Sequence, residues 1–265
     1  MGVQTTISLQ EVQELFPSYE FLSLSPTSSG IIDTTYILTN KLKSYILKKY
    51  ERDIPRKIAL DIQLLGELTH AGLNVPEFLA KSEDWYLYSK LQGKQPKWIK
   101  SYHIQALARF MAKLHKLTIN TPCTSNAMIE TEVVEALKYT KKYHFFYYKQ
   151  LEFLKYFSHE EDFLIHGDIF KDNTIFHKHK IGVIDFIDSS CGSFSFDIAV
   201  ALIGFDAREH NTYFINIFLK SYNQYAPRKI SKETLVQKMK TASHFYALKR
   251  IYTYKNTLRA KELLT

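Results

Sequence analysis

A short segment in the second half of the chain carries several polar side chains that could act together. The string His166-Gly167-Asp168-Ile169-Phe170-Lys171-Asp172-Asn173 places an amide five residues after an aspartate, and Asp185 follows in Ile184-Asp185-Phe186. Transfer of a phosphoryl group from ATP to a hydroxyl requires an acceptor for the hydroxyl proton and hard oxygen ligands for Mg²⁺. We therefore predict that Asp168 accepts the proton and that Asn173 and Asp185 bind the metal.

These strings resemble motifs of a known group of kinases. They have the layout of the protein-kinase loop H-R-D-x-x-x-x-N and of the later D-F-G. Together with Asp197-Ile198-Ala199, they resemble the aminoglycoside phosphotransferase and choline kinase superfamily, which writes H-G-D-x-x-x-x-N, then I-D-F or I-D-W, then D-I/L-A. Within it, the chain is most similar to the bacterial homoserine kinases of this fold, over nearly its whole length. The resemblance implies that His166 and Asp197 support the catalytic loop structurally.

The resemblance also implies a nucleotide site in the first third of the chain. Lys48 matches the strand lysine that binds the α- and β-phosphates of ATP, and strand alternation directs Lys49 to the other face. The helix acid that orients this lysine aligns with Asp61, and Glu67 is the alternative. Ser28-Ser29-Gly30 would form the hairpin that covers the phosphates, where small residues allow close approach, although such clusters also mark ordinary turns.

The substrate implied by the resemblance is L-homoserine, which would be converted to O-phospho-L-homoserine for threonine synthesis. Arg250 lies in a segment similar to the C-terminal R-F-W-L-S-R-L helix of those kinases and could bind the carboxylate in a bidentate manner. Asp188 could contact the substrate or only form the turn after Asp185. Choline, ethanolamine and aminoglycosides are alternative substrates. A catalytically silent binding protein is a further alternative. The presence of Asp168, Asn173 and Asp185 argues against it, because loss of any of the three would favour such a protein.

The elements that must position these residues follow from the pattern of apolar residues. Short β-rich runs separated by turn residues predict an antiparallel sheet: Phe21–Ser25, Thr35–Thr39, Ser44–Tyr50, Phe78–Ala80 and Trp85–Lys90. Helical spacing predicts a helix over Pro55–Ala71 that ends at Gly72, and Ser8 with Glu11 has the pattern of a capping box.

Beyond residue 93 the pattern is mainly helical, with two short strands and a turn around the catalytic string. The predicted fold class is therefore α+β, a protein-kinase-like fold of two lobes. Residues 1–92 would form the nucleotide-binding lobe, a small antiparallel sheet with one helix. Residues 93–265 would form the larger helical lobe, which carries the catalytic loop and the substrate site.

The amino-acid composition excludes several classes of protein and of binding partner. With 45% hydrophobic and 23% charged residues among 265, the chain is not disordered, collagenous or purely coiled coil. No apolar run is long enough to span a bilayer and the N-terminus lacks a signal-peptide core, so we expect a cytoplasmic protein without a membrane partner. The net charge of +8 is scattered along the chain, so nucleic acid is not the expected partner. The expected cofactors are ATP and Mg²⁺ and the expected partner is a small alcohol, while the oligomeric state stays open.

Two further residue pairs have alternative interpretations. Cys123 and Cys191 are far apart and form no C-x-x-C pattern, so we expect two ordinary reduced thiols. His177 and His179 could chelate a metal only with a third ligand, and a solvated hairpin turn is the favoured interpretation.

Overall fold

The computed structural model describes residues 3–27, 33–123, 127–157, 163–207 and 210–264. Contacts within the chain define two compact units. The first comprises Met1–Lys94 with Gly182–Ile187, and the second comprises Gln95–Ile181 with Asp188–Thr265. The sequence did not predict that the segment containing Asp185 belongs to the first unit, and the domain boundary at residue 92 stays a prediction.

The first unit is built on an antiparallel sheet of five strands in the order β1-β2-β3-β5-β4. The strands are β1 (Ser23–Pro26), β2 (Thr34–Thr39), β3 (Ser44–Lys49), β4 (Phe78–Ser82) and β5 (Trp85–Ser89). Alternate residues of β2 and β3, including Leu38 and Leu47, are buried in one apolar cluster with Val12 of helix α1 (Leu9–Leu15). The predicted capping box at Ser8 and Glu11 is present at the start of that helix.

Helix α2 (Pro55–His70) lies between β3 and β4 in the chain, as predicted. It begins with proline at its first turn, where a missing N–H costs nothing, and ends before Gly72, whose φ of 75° suits a glycine. Its buried stripe consists of Ile58, Asp61, Leu64, Leu65 and Leu68. A carboxylate therefore occupies a position in an otherwise apolar face.

The segment 182–187 packs closely on the rest of the first unit. A Cβ atom at Gly182 would lie 2.6 Å from Asn74 Nδ2 and 2.7 Å from Leu91 Cδ1, so a larger residue would have to displace these two side chains. The backbone N–H of Val183 also donates to the carbonyl oxygen of Asn74 at 3.1 Å. These contacts anchor the strand that leads to Asp185.

The second unit is mainly helical. Its helices are α3 (Ser101–Thr118), α4 (Ala127–Tyr143), α5 (Phe145–Leu151), α6 (Phe194–Gly204), α7 (Thr212–Tyr222), α8 (Lys232–Tyr252) and α9 (Thr257–Leu264), with 3-10 turns at Glu152–Tyr156 and Lys171–Asn173. Helix α3 packs against α7, and α8 packs against both α6 and α9. All residues of helix α6 except Ser195 are buried, so the helix forms the centre of this unit.

Short strands frame the catalytic string. Strand β6 (Phe163–Ile165) pairs antiparallel with β9 (Ser190–Gly192), and β7 (Thr174–His177) forms a hairpin with β8 (Lys180–Val183). The string His166–Asn173 is thus the connection between β6 and β7. The two short strands and the turn predicted from the sequence correspond to the hairpin of β7 and β8, whereas the pairing of β6 with β9 was not predicted.

The expectation for the two cysteines is wrong. The structure joins Cys123 and Cys191 as a disulfide, with their Cα atoms 5.5 Å apart. They lie 68 residues apart in the sequence, and their spacing alone carries no sign of the pairing. The chain reversal that brings Cys123, beyond α3, next to Cys191 in β9 is a tertiary feature.

The predicted fold class is confirmed. The chain is a mixed α and β protein with a five-stranded antiparallel sheet in its N-terminal part and a helical C-terminal part. Among the helices in the described parts of the chain, none is both long and apolar enough to cross a membrane.

Candidate active site

The loop between β6 and β7 holds Asp168 and Asn173 against each other. Asn173 Nδ2 donates to the backbone oxygen of Asp168 at 2.9 Å and to its carboxylate Oδ2 at 3.2 Å. Because the amide nitrogen is used in this way, the amide oxygen Oδ1 is the atom that could bind a metal ion. Gly167 has a φ of 74°, which allows the sharp turn that presents Asp168.

A buried aspartate braces the start of this loop. Asp197, in the first turn of α6, accepts from the backbone N–H of Gly167 at 2.7 Å and of His166 at 3.3 Å. His115 Nε2 lies 3.0 Å from its Oδ2, and His115 Nδ1 lies 2.7 Å from the hydroxyl of Tyr222. Helices α3, α6 and α7 thereby converge on the backbone of the loop between β6 and β7.

The electrostatics of Asp197 match this arrangement. Burial would raise the pKa of its carboxyl group, but the hydrogen bond and the charge of His115, with the hydrogen bond from the Gly167 N–H, hold the pKa below its ordinary value. Asp197 therefore stays ionised at neutral pH although it is fully buried. His166 Nδ1 accepts from the backbone N–H of Asp168 at 3.2 Å, a contact that supports a structural role for this histidine.

The structure adds Tyr246, which sequence reasoning missed. Its hydroxyl donates to the carbonyl oxygen of Gly167 and lies 3.2 Å from Asp168 Oδ1. Tyr246 is buried on α8, and its ring meets that of Phe170 edge to face at 5.0 Å. The only sequence signal was that Tyr246 lies four residues before Arg250 on a helix predicted to reach the site.

The far side of the loop lies against the end of α6. A Cβ atom at Gly204 would lie 2.9 Å from Phe170 Cα and 3.0 Å from the carbonyl oxygen of Ile169. Lys171 also forms an ion pair with Asp206, just beyond the helix. Helix α6 therefore holds the loop at two points, its start through Asp197 and its middle through Gly204.

In the first unit, Lys48 is surrounded by carboxylates. Its Nζ lies 3.3 Å from Asp185 Oδ1 and 3.5 Å from Asp33 Oδ2, and it stands 4.6 Å from the ring centroid of Tyr50. Asp33 also pairs with Arg52 at 3.4 Å. Sequence reasoning missed Asp33 because no motif contains it.

The acids around Lys48 keep it charged. Burial acts to lower the pKa of Lys48, but the negative charges of Asp185, Asp33 and Asp61 outweigh it and raise the pKa above its ordinary value. Asp61 is buried, whereas Glu67 is exposed and accepts a hydrogen bond from Gln63 at 3.0 Å. The geometry therefore favours Asp61 over Glu67 as the helix acid that acts on Lys48.

Asp185 has a conformation that is unusual for a residue other than glycine. Its φ is 69° and its side chain is 44% exposed. Left-handed backbone in a polar residue is enriched at functional sites. The Asp185 carboxylate in the first unit and the Asn173 amide oxygen in the second are each a hard oxygen donor of the kind that Mg²⁺ prefers. Each residue taken by itself therefore fits this metal, and the charged Lys48 fits a phosphate.

The remaining predicted site residues fall in three places. Ser28, Ser29 and Gly30 lie outside the described residues. Arg250 is half-buried near the C-terminal end of α8, with its guanidinium carbon 4.9 Å from the ring centroid of Tyr254. Asp188 is exposed in the turn before β9, which is compatible with either of its two interpretations.

The histidine hairpin shows ring contacts. His179 is exposed, and its ring stands edge to face with Tyr102 at 5.0 Å. Across the described ranges, no group of three or more histidine, cysteine, aspartate or glutamate side chains is arranged to hold a metal ion.

The chain is similar to known proteins both in sequence and in fold. Residues 23–228 match APH, the phosphotransferase enzyme family. The chain is 25% identical to a homoserine kinase of Zymomonas mobilis, over 97% of this chain and 90% of that protein. It is also 25% identical to a homoserine kinase of Methylobacillus flagellatus, over 76% of this chain and 70% of that one. Among solved structures, an amicoumacin kinase in complex with AMP-PNP, Ca²⁺ and Ami superposes with a TM-score of 0.70 at 16% identity, covering 97% of this chain and 92% of that chain.

The fold and the family match define a phosphotransferase with a protein-kinase-like architecture. Because the match covers more than half of the chain, the chain belongs to the APH phosphotransferase family. The resemblance inferred from the sequence motifs is thereby confirmed, and the protein is an enzyme that transfers phosphoryl groups.

Proposed function

We propose that this phosphotransferase is an ATP- and Mg²⁺-dependent kinase of L-homoserine. The observation that carries a kinase activity is the Asp168 carboxylate, which lies half-buried with Asn173 Nδ2 and the Tyr246 hydroxyl each 3.2 Å from one of its oxygens. A carboxylate held in one orientation can accept a proton from a hydroxyl as that hydroxyl attacks phosphorus.

The proposed reaction transfers the γ-phosphoryl group of ATP to the acceptor hydroxyl. The hydroxyl oxygen of the acceptor forms a bond to the γ-phosphorus, the bond from that phosphorus to the bridging oxygen breaks, and ADP leaves with its electron pair. The hydroxyl proton goes to Asp168. ATP supplies the phosphoryl group, and Mg²⁺ neutralises charge on its phosphates.

The other site residues would bind rather than react. Lys48 would bind the α- and β-phosphates with Asp61 supporting its charge, and Ser28-Ser29-Gly30 would cover the phosphates. Asn173 and Asp185 would hold the metal through their oxygen atoms. His166 and Asp197 would keep the loop in place, as their hydrogen bonds to its backbone support.

The substrate part of the proposal rests on relatives and on one arginine. Two relatives named homoserine kinase match at 25% identity, one of them over 97% of this chain. Homoserine is a zwitterion, so its carboxylate needs a cation. Arg250 would supply a bidentate contact, and Asp188 would serve the ammonium group. The product would then feed threonine synthesis, and we place the activity in the cytoplasm.

The test is an acceptor panel. The melting temperature is first measured with and without Mg-ATP, and ADP release is then followed with homoserine, choline, ethanolamine and kanamycin as acceptors. We expect a rise in melting temperature with Mg-ATP and turnover that is highest with homoserine.

Asp168→Asn is the matched control in this panel, because it keeps the shape of the side chain and removes the proton acceptor. Turnover that is highest with another acceptor would contradict homoserine as the substrate, but the assignment as a kinase would stand. A thermal shift without turnover on any acceptor would favour a binding protein instead.

A further inference from the structure

Tyr246 lies where the loop meets α8. It is 4% exposed, and its ring packs against Phe170 at 5.0 Å and against Phe245 at 5.5 Å. These ring contacts account for an aromatic residue at this position. They do not require a hydroxyl, since a phenylalanine ring would make the same packing.

The hydroxyl of Tyr246 is directed at the two residues that present the proposed base. It has one proton and faces two acceptors, the carbonyl oxygen of Gly167 and the Oδ1 atom of Asp168. The other carboxylate oxygen of Asp168, Oδ2, receives Asn173 Nδ2 at 3.2 Å. Each oxygen of the carboxylate therefore has its own neighbour, one from the loop and one from α8.

The hydroxyl is a permanent donor. Burial, followed by the nearby charge of Asp168, raises the pKa of Tyr246 well above its ordinary value. The phenol thus keeps its proton throughout the pH range in which a kinase works, while an ionised carboxylate can only accept.

We propose that Tyr246 is a positioning residue for the phosphoryl transfer, which orients the Asp168 carboxylate through its hydroxyl. The inference rests on the proposed role of Asp168 as the base. A carboxylate rotates readily about its terminal bond. Asn173 Nδ2 donates to Oδ2, and the single Tyr246 proton, shared between Oδ1 and the Gly167 carbonyl oxygen, restricts that rotation from the other side. The contact to Gly167 ties the same hydroxyl to the backbone, so that the carboxylate and the turn that carries it are oriented together.

The first experiment is Tyr246→Phe, which removes the hydroxyl alone. We expect kcat for ADP release with L-homoserine to fall about tenfold, because a misoriented base reacts in fewer encounters. The Michaelis constant for Mg-ATP should stay within about twofold, since binding of the nucleotide is not affected. ADP release with water as the acceptor, measured without homoserine, should fall in parallel.

Tyr147→Phe is the matched control. Its hydroxyl also donates to a backbone carbonyl, that of Thr257, at 3.4 Å in the same unit, but it lies in none of the contacts of the loop. This variant should keep the kcat of the unchanged enzyme. A Tyr246→Phe variant with the same kcat as Tyr147→Phe would overturn the inference.

A double-mutant cycle separates positioning from general stabilisation. In the Asp168→Asn background there is no base to orient, so adding Tyr246→Phe should change residual turnover less than about twofold. The same tenfold loss in both backgrounds would show that the hydroxyl only stabilises the fold and would overturn the inference. Near-normal turnover of Asp168→Asn alone would instead overturn the proposed base.

If Tyr246→Phe does not fold, Phe170→Leu replaces it in the cycle. This change removes the ring that fixes the Tyr246 side chain and keeps the hydroxyl. We then expect kcat to fall severalfold with an unchanged Michaelis constant for Mg-ATP, and the loss should disappear in the Asp168→Asn background. An unchanged kcat, or a loss that persists in that background, would contradict the inference.

Discussion

The two units hold their polar residues in different ways. Around Lys48 in the first unit, the contacts are ion pairs between charged side chains, and the Asp185 carboxylate is 44% exposed. Around Asp168 in the second unit, the loop is held by hydrogen bonds that its backbone N–H groups donate to the carboxylate of Asp197, which is fully buried.

The difference indicates which of two groups of residues can rearrange: the group around Lys48, called the first centre, or the group around Asp168, called the second centre. Of the carboxylates paired with Lys48, only that of Asp185 reaches solvent to a large extent, at 44% exposed, whereas that of Asp33 is 7% exposed. A pair with an exposed partner contributes about 0–1 kcal/mol, so Lys48 can exchange the Asp185 carboxylate for a phosphate at little cost. Breaking a buried charged network leaves groups without solvent or partner and costs several kcal/mol. The residues around Lys48 are therefore suited to binding a ligand and releasing it, and those around Asp168 to keeping the proposed base in one place.

The largest effect should come from the base. Asp168→Asn should lower turnover by about 10²- to 10⁴-fold, because the amide cannot accept the hydroxyl proton. Mg-ATP affinity should be kept, since Lys48 and its partners are untouched. Steady-state kinetics and calorimetric titration with Mg-ATP check both statements, and near-normal turnover would remove Asp168 as the base.

The next effect concerns the brace of the loop. Asp197→Ala should lower the free energy of unfolding by about 3 kcal/mol, because two backbone N–H groups and His115 lose their buried acceptor. Urea unfolding at pH 7 measures this change. Asp206→Asn is the matched control, an aspartate that is 60% exposed in the same unit, and should cost less than about 1 kcal/mol. Equal losses would show that the network is not the stronger support.

The carboxyl group of Asp197 should also make the free energy of unfolding depend on pH. Its pKa is lowered in the folded protein, so the stabilisation is present above the unfolded pKa of about 3.9 and is lost as the pH falls through the lower folded value. The unfolding free energy should therefore decrease below about pH 4, and less steeply in Asp197→Ala. Parallel curves for the two proteins would contradict this assignment.

A smaller effect is expected at the metal ligands. Asp185→Ala should weaken Mg-ATP binding by about 10²-fold and Asn173→Ala by less, because only the first removes a charge from the metal. Calorimetry in the presence of Mg²⁺ compares them. Asp33→Asn is the control, since Asp33 also pairs with Lys48 but is not a proposed ligand. A loss in Asp33→Asn as large as in Asp185→Ala would assign the effect to Lys48 rather than to the metal.

How far the sequence predicted the site depends on the kind of contact. Asp168 and Asn173 were found because a loop of fixed length brings them together, and local spacing is visible in a sequence. The five-stranded sheet and α2 were predicted because apolar periodicity and turn residues are local signals. The brace at Asp197 was found only through the resemblance.

Contacts between distant segments were not predicted. Asp33 reaches Lys48 across neighbouring strands, and Tyr246 reaches Asp168 from 78 residues further along the chain. The Cys123–Cys191 pairing was missed for the same reason. Such contacts depend on how helices and strands pack, and no spacing in the sequence encodes that packing.

The smallest expected effect tests whether the second centre also holds the amino acid. Arg250 lies one helical turn after Tyr246 on α8, so a carboxylate bound there would be fixed by the same helix that supports the base. Arg250→Lys replaces a planar two-pronged donor by a point charge and should raise the Michaelis constant for homoserine about tenfold, with that for ATP nearly unchanged. Arg259→Lys is the matched control, because Arg259 is exposed and pairs with Glu262 in the same unit. If both variants leave the Michaelis constant for homoserine unchanged, Arg250 is only a cation beside Tyr254. The second unit would then hold the proposed base but make no contact to the amino acid through Arg250.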